Sequence, residues 1–381
     1  MKIGVIGAGR LGICFALLCE QAGYEVLVSD VREDYVASLN ERLIQTNEPE
    51  VAELLDNAKN FRATTDNTEV IKECEIIYTL VATPSLPDGS YDVSAVWQVV
   101  EDFQNVENVQ GKAFVVGCTT NPGDCETFQM QLDSYGVEVF YNPEFIAQGS
   151  IVKDLRTADM VLIGGYDATF LGKIIMIYNG IQTTEPKIAF MSLTAAEIVK
   201  LAVNCYLTTK ISYANMVGEV MINAGLGDEI ENVLGAIGLD GRVGQKYLKY
   251  GYGFGGPCLP RDNRSFAAFA KKLGLEYNLG QTTDKFNDEH AQFLKTYFIR
   301  TNPDLRPFYF DYISYKKGSD ILTESQQYRL CLDLLDSGFE VYVDDNEDVI
   351  SQVKDFLTER YGNKVHFGKP LNEEEVFKIE L

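Results

Sequence analysis

Short apolar runs alternate with stretches of helical period through the first half of the chain. Residues 2–6, 25–29, 76–81, 113–117, 137–141 and 160–164 are rich in Val, Ile, Leu and Phe. Runs of that length and branched character predict strands buried on both faces, as in a parallel sheet covered by helices. Between the first two runs, Ile13, Phe15, Ala16, Leu17 and Cys19 follow a helical pattern. At Ser192 the pattern changes to one helical stretch closed by Gly225, with Ser192 as N-cap. Its apolar positions, 198, 201, 202, 205, 211, 213, 217 and 220, form a stripe broad enough to require a domain partner or a second subunit. Near residue 305 a third pattern begins: a strand PFYFDYI, a polar loop YKKGSD, a helix from about Thr323, a strand EVYVDD and an acidic helical tail.

The first apolar run leads into Gly7, Gly9 and Gly12, in the spacing G-x-G-x-x-G, and the second ends on Asp30. Each part has a mechanical reason. The first glycine makes a tight turn, the second lets a pyrophosphate approach the backbone, and the third lets helix and strand pack closely. The helix N-terminus faces the phosphates, and Asp30 can accept hydrogen bonds from ribose hydroxyls. A carboxylate there repels a 2′-phosphate, which favours NAD over NADP, while Arg32 keeps NADP open as the minor alternative. The expected fold is therefore α/β. It comprises an NAD-binding Rossmann-type parallel sheet over residues 1–190, a helical central domain over 191–300 and a short Rossmann-like α/β domain over 301–381. Loops after two further strands, beginning at Ala82 and Cys118, should border the cofactor.

Charge narrows the partners. The chain has 381 residues, 33 Lys and Arg against 56 Asp and Glu, and a net charge of −23. That balance argues against a nucleic-acid or anionic-membrane surface, though a local basic cluster could still hold a small anion. The opening apolar stretch runs straight into the glycine turn and is not a signal peptide, and no apolar run reaches membrane-spanning length. The chain reads as soluble and cytoplasmic. Eight cysteines are scattered without a C-x-x-C pair, so neither a metal site nor a disulfide framework is expected. Two histidines, His290 and His366, lie outside glycine-rich or acid-rich sequence, which argues against a histidine general base.

The densest chemistry lies in GYGFGGPCLPRD, residues 251–262. Glycines before Cys258 allow unusual dihedrals and close approach, and Pro257 and Pro260 fix the chain around the thiol. A loop of this kind can present a nucleophile, with Asp262 four residues on. The competing reading is a buried structural cysteine. In the long helix, Lys200 and Asn204 are four residues apart and share a face, a polar pair among Val199, Leu201, Ala202 and Val203.

Taken together, the chain resembles the UDP-glucose/GDP-mannose dehydrogenase family, in its UDP-glucose 6-dehydrogenase type. The resemblance covers positions 1 to about 345. It rests on GAGRLG, VATP at 81–84, NPEF at 142–145, KLAVN at 200–204, DGRVG at 240–244, GFGGPCLPRD at 253–262, and YKKGSD with TES at 315–325. The resemblance implies a four-electron oxidation of a sugar primary alcohol to a carboxylate with two NAD molecules. It implies Cys258 as nucleophile, Lys200 and Asn204 as oxyanion donors, and Glu144 and Asp262 as positioners or bases for water, with Thr119 near the nicotinamide helping to hold that water. It further implies that Gly7, Gly9, Arg10, Leu11, Gly12, Asp30, Arg32, Thr83, Pro84 and Thr119 hold the cofactor. The sugar nucleotide would meet Glu144, Phe145, Ile146, Lys200, Asn204, Arg242, Tyr247, Phe254, Gly255 and Lys316, with Arg242 reaching a neighbouring subunit of a homodimer joined through the central helix.

Three departures stand out. Gln148 occupies a position where many members carry a second glutamate. TNPG follows Thr119 where VPVG is usual, and the third domain lacks a recognisable terminal strand and its aspartate- and arginine-bearing segment. Two other readings are weighed. A two-electron β-hydroxyacid dehydrogenase shares the N-terminal turn and the Lys–Asn pair but needs no cysteine loop. A non-catalytic nucleotide-sugar-binding subunit would fit Gln148 and the short third domain, but Cys258, Lys200, Asn204 and Asp262 are all retained.

Overall fold

A computed structural model describes residues 1–146 and 149–381. Gln148 lies outside the described residues. The chain divides into two compact units, Met1–Lys200 and Leu201–Leu381.

The first unit is built on eight strands: β1 (Lys2–Ile6), β2 (Glu25–Ser29), β3 (Phe61–Thr64), β4 (Ile76–Thr79), β5 (Lys112–Val116), β6 (Val137–Tyr141), β7 (Met160–Gly164) and β8 (Lys187–Met191). Their order is β3-β2-β1-β4-β5-β6-β7-β8. Strand side chains alternate between two cores. Ile3, Val5, Val26, Val28, Ile76 and Tyr78 face one, with Phe15 and Tyr178 from covering helices. Ile6, Leu27 and Ile77 face the other, with Val96, Phe103 and Phe128. That two-sided burial is the reason for near-continuous apolar strands. The parallel arrangement expected throughout holds except at one place: β7 meets β6 antiparallel, through Tyr141 and Gly164, and β8 then follows β7 in parallel. The sequence reading omitted β3 and β8. Both are edge strands: β3, FRAT, carries no continuous apolar run, whereas β8, KIAFM, is apolar from Ile188 to Met191 and was overlooked.

The long helix spans Leu193–Asn223 and so crosses the division between the units. It ends as its glycine predicts. Gly225 takes φ +76°, its N–H donates to Ile222 O, and the Leu226 N–H donates to Met221 O, which satisfies the last carbonyls of the helix. In the second unit, helices Ile230–Gly238, Leu259–Lys272 and Leu279–Thr301 precede a parallel sheet of β9 (Phe308–Phe310), β10 (Val341–Val343), β11 (Val365–Phe367) and β12 (Phe377–Lys378), ordered β11-β10-β9-β12. Helices Gln326–Asp336 and Glu347–Tyr361 connect these strands, and Leu294 and Phe298 join their core. The terminal strand not recognised from the sequence is present as β12, paired with β9. At two residues it is too short to show a period. Among the described residues no helix is long and apolar enough to cross a membrane.

Candidate active site

In the first unit the glycine turn has the geometry its spacing implies. Gly7 takes φ +93°, and a Cβ there would stand 2.8 Å from Leu80 O. A Cβ on Gly12 would stand 2.0 Å from Gly7 O, so close packing of turn and helix requires its absence. Gly9 has nothing within 4 Å of the corresponding point and caps helix Arg10–Gln21, leaving space against backbone N–H groups. Those features fit a pyrophosphate. Arg10 is exposed and Leu11 partly buried at the start of that helix. Asp30, just past β2, is gripped by Arg32: Nε donates to Oδ1 at 2.7 Å and Nη2 to Oδ2 at 2.8 Å. Burial opposes ionisation of Asp30, but the hydrogen bonds and charge of Arg32 outweigh it and hold the carboxyl below its ordinary value. The Arg32 guanidinium also lies 4.1 Å above the Tyr35 ring. Thr83 is buried and Pro84 exposed in the loop after β4, and Thr119 is partly buried after β5.

Beyond β6, the NPEF loop meets the long helix. Lys200, buried, donates from Nζ to Glu144 O at 2.8 Å and stands 4.8 Å from the Phe145 ring centroid. Glu144, Phe145 and Lys200 are thus brought together, with Ile146 partly buried beside them in sequence. Burial pushes the Glu144 carboxyl up to about 7, against the Tyr178 hydrogen bond and the Lys200 charge. Asn142, which opens the NPEF motif but was given no role, and Tyr178, which the sequence reading missed, complete this corner. Asn142 donates to Leu162 O at 2.8 Å, and the Tyr178 hydroxyl meets both Asn142 Oδ1 and Glu144 Oε1.

Glu197 was also missed. It is fully buried and accepts from Thr120 Oγ1 at 2.7 Å, Gly123 N at 2.6 Å and Cys125 N at 3.0 Å. Its carboxylate therefore ties the start of helix Asp124–Leu132, in the loop that carries Thr119, to the helix that carries Lys200. The sequence signal was a lone acid among Ala195, Ala196, Ile198 and Val199.

In the second unit Cys258 is exposed and occupies the N-cap position of helix Leu259–Lys272, while the other seven cysteines are buried. One turn on, Asp262 is buried; its N–H donates to Cys258 O, and its Oδ2 accepts from Asn204 Nδ2 at 2.5 Å. The preceding glycines serve the protein's own packing. A Cβ on Gly253 would fall 2.2 Å from Asn287 Oδ1, and one on Gly255 2.4 Å from Glu324 O. Gly256 has φ +80° and lies against the Tyr315 ring. Phe254 is buried, its backbone N–H and C=O both held by Asn287. Gly251 is held by Asn215, whose Oδ1 accepts from its N–H, and by His290, whose Nε2 lies 2.8 Å from its carbonyl. His290 Nδ1 meets Glu219. His290 is therefore buried and in contact with both the glycine loop and an acid, contrary to the reading that set it apart from them. Arg242, paired with Asp240, stands exposed, as do Tyr247 and Lys316, rather than gathered into the buried cluster. Among the described residues no group of three or more His, Cys, Asp or Glu could hold a metal ion.

Residues 1–182 match the NAD binding domain of the UDP-glucose/GDP-mannose dehydrogenase family, and residues 194–289 match its central domain. The UDP-glucose 6-dehydrogenase AglM of Haloferax volcanii is 30% identical over 357 residues, covering 90% of this chain and 82% of that protein. The GDP-mannose 6-dehydrogenase of Pseudomonas syringae pv. syringae is 26% identical, covering 94% of this chain and 84% of its own. A UDP-glucose dehydrogenase from Pyrobaculum islandicum superposes with a TM-score of 0.84 at 26% identity, over 97% of this chain and 86% of that one. The glycine turn thus belongs to an NAD-binding domain, and the long helix and cysteine loop fall within a matched central domain. With both matches spanning most of its length, the chain belongs to the UDP-glucose/GDP-mannose dehydrogenase family.

Proposed function

We propose that the protein oxidises the primary alcohol of a UDP-sugar, UDP-glucose to UDP-glucuronate, in two hydride transfers through a covalent intermediate on Cys258. The observation that carries this reading is the setting of Cys258: an exposed thiol at the N-terminus of a helix, where negative charge is favoured, on a loop held by Asn287 and one turn from Asp262. NAD held at the turn of Gly7, Gly9 and Gly12 would supply the acceptor for each hydride. The alcohol first becomes an aldehyde, and the Cys258 sulfur adds to its carbonyl to give a thiohemiacetal. Loss of the second hydride leaves a thioester, and water then attacks the acyl carbon while the thiolate departs. Alcohol, water and two NAD⁺ give carboxylate, two NADH and three protons.

Lys200 and Asn204 supply N–H donors for the oxyanion that forms at the sugar carbon. Glu144, with its carboxyl raised to about 7, is suited to take the proton of the attacking water near neutral pH. Asp262 fixes Asn204 through their hydrogen bond. Phe145, Phe254 and Gly255 shape the sugar pocket, with Arg242, Tyr247 and Lys316 as further contacts. The exposed side chains Tyr206, Tyr213, Met216 and Val220 recur at near-heptad spacing along the long helix, and a second copy of the chain covers them.

The test is NADH yield over a panel of UDP- and GDP-sugars. Two NADH and one carboxylate per UDP-glucose are expected, and Cys258→Ser should stall with the sugar covalently attached, visible by intact mass. One NADH per sugar, or no adduct in the variant, would overturn the mechanism. Faster turnover of a GDP-sugar would reassign the substrate alone.

A further inference from the structure

The proton arrangement around the NPEF loop is overdetermined. Asn142 is buried and donates through Nδ2 to the Leu162 carbonyl at 2.8 Å, which fixes its Oδ1 as an acceptor. The Tyr178 hydroxyl lies 2.8 Å from that Oδ1 and also meets Glu144 Oε1. A phenol has one proton to donate. Pointed at Asn142, it leaves the Glu144 contact a hydrogen bond only if the carboxyl carries a proton and donates it. Pointed at Glu144, it satisfies a carboxylate and leaves Asn142 Oδ1 without this donor.

We propose that Tyr178 is the positioning residue of Glu144, holding its carboxyl in place and turning a single hydroxyl proton between Asn142 and Glu144 as that acid loses and regains its own. This rests on the reading of Glu144 as the group that takes a proton from water during thioester hydrolysis. As water oxygen bonds to the acyl carbon and the Cys258 thiolate leaves, Glu144 receives the water proton. The Tyr178 hydroxyl then turns back to Asn142. No heavy atom of this corner need move.

The surroundings favour such a device. Glu144 is faced by Lys200 on helix Leu193–Asn223, Cys19 on helix Arg10–Gln21, Tyr78 on β4 and Tyr178 on helix Ala168–Ile181. Lys200 is the cation among them. Burial, and then the charge of Glu144, hold the Tyr178 phenol well above its ordinary value, so it reorients its proton and does not ionise. Burial likewise keeps Cys19 and Tyr78 protonated.

The experiment compares pH profiles of steady-state turnover for the parent, Tyr178→Phe, Asn142→Ala and Glu144→Gln, with an infrared titration of the carboxylic C=O band that Glu144→Gln removes. Tyr178→Phe deletes the donor to the carboxylate and should move the acidic limb and the infrared midpoint upward by about one pH unit. Asn142→Ala frees the hydroxyl to serve Glu144 alone and should move both downward. A Tyr178→Phe enzyme with lower turnover but an unmoved limb and midpoint would overturn the proposal, since a merely structural role predicts that result. If Glu144→Gln retains the acidic limb, the catalytic reading of Glu144 falls instead, and the infrared midpoint in Tyr178→Phe still decides the role of Tyr178. Should Asn142→Ala not fold, the Tyr178→Phe midpoint decides alone.

Discussion

Asn287 grips both backbone polar groups of Phe254: its Oδ1 accepts from Phe254 N at 2.8 Å, and its Nδ2 donates to Phe254 O at 3.0 Å. An amide side chain matches the N–H and C=O of one residue in this way because it offers one acceptor and one donor side by side. The grip also accounts for Gly253, since a Cβ there would meet the same Oδ1. The shape of the loop before Cys258 is thereby set by helix Leu279–Thr301, with Asn287 and His290 one turn apart on it.

Replacing Asn287 by Asp retains the acceptor and deletes the donor, placing a carboxylate oxygen against the Phe254 carbonyl. A loss of about 1–3 kcal/mol is expected in urea unfolding. Gly253→Ala should cost a similar amount, about 1–3 kcal/mol, by overpacking. Because both variants disturb one contact, their double mutant should lose less than the sum. Additive losses would show the contact to be unimportant.

Sequence reasoning reached the features whose cause lies nearby in the chain. Gly7, Gly9 and Gly12 act on one another and on the strand beside them, so their spacing carried the whole geometry. Cys258 and Asp262 are one helical turn apart for the same reason. The grips on the cysteine loop come from residues 33 to 39 positions away, and nothing in Asn287 or His290 as isolated letters marks them. Tyr178 lies 34 residues from Glu144 and looks like one more apolar position of its helix. Likewise β3 escaped notice because its edge position breaks the apolar run, and β12 because two residues show no alternation.

The cysteines should differ sharply in reactivity. Burial pushes the thiols of Cys14, Cys74 and Cys118 up to about 12 and raises those of Cys19, Cys125, Cys205 and Cys331. Brief iodoacetamide treatment of the native protein at pH 7.5 should label Cys258 alone, by peptide mass, and Cys258→Ser should abolish the label. Labelling of a buried cysteine at a comparable rate would contradict this order.

At the proposed ribose end, Asp30→Ala would remove an acceptor for the cofactor hydroxyls along with the partner that neutralises Arg32. The freed guanidinium then favours a 2′-phosphate. The ratio of kcat/KM for NAD over NADP should fall by about 10- to 100-fold. An unchanged ratio would remove Asp30 from the ribose pocket.

The stripe of Tyr206, Tyr213, Met216 and Val220 should mediate self-association. Light scattering at micromolar concentration should give a dimer, and Tyr213→Glu combined with Val220→Glu should give a monomer with native circular dichroism. A parent protein that is monomeric and fully active would rule out this interface.

Glu197 lies wholly within the protein. Burial raises its carboxyl from 4.5 to about 7, despite the donors from Gly123, Cys125 and Thr120 that favour the charged form. In the unfolded chain the same group titrates near 4.5. Between those values the folded state binds the proton and the unfolded state does not. The contribution is therefore fully present below about pH 4.5 and is lost as pH rises through 7. Its full size is on the order of 3 kcal/mol. Glu197→Gln cannot titrate, though its amide N–H₂ must face one of the three donors and should lower stability at every pH. The gap between parent and variant in urea unfolding should consequently be widest at or below about pH 4.5 and narrow toward pH 8. Comparing the two proteins at each pH cancels the titration of the many other carboxylates. Parallel stability curves would show that Glu197 keeps an ordinary acidity in the folded state, its three donors offsetting its burial.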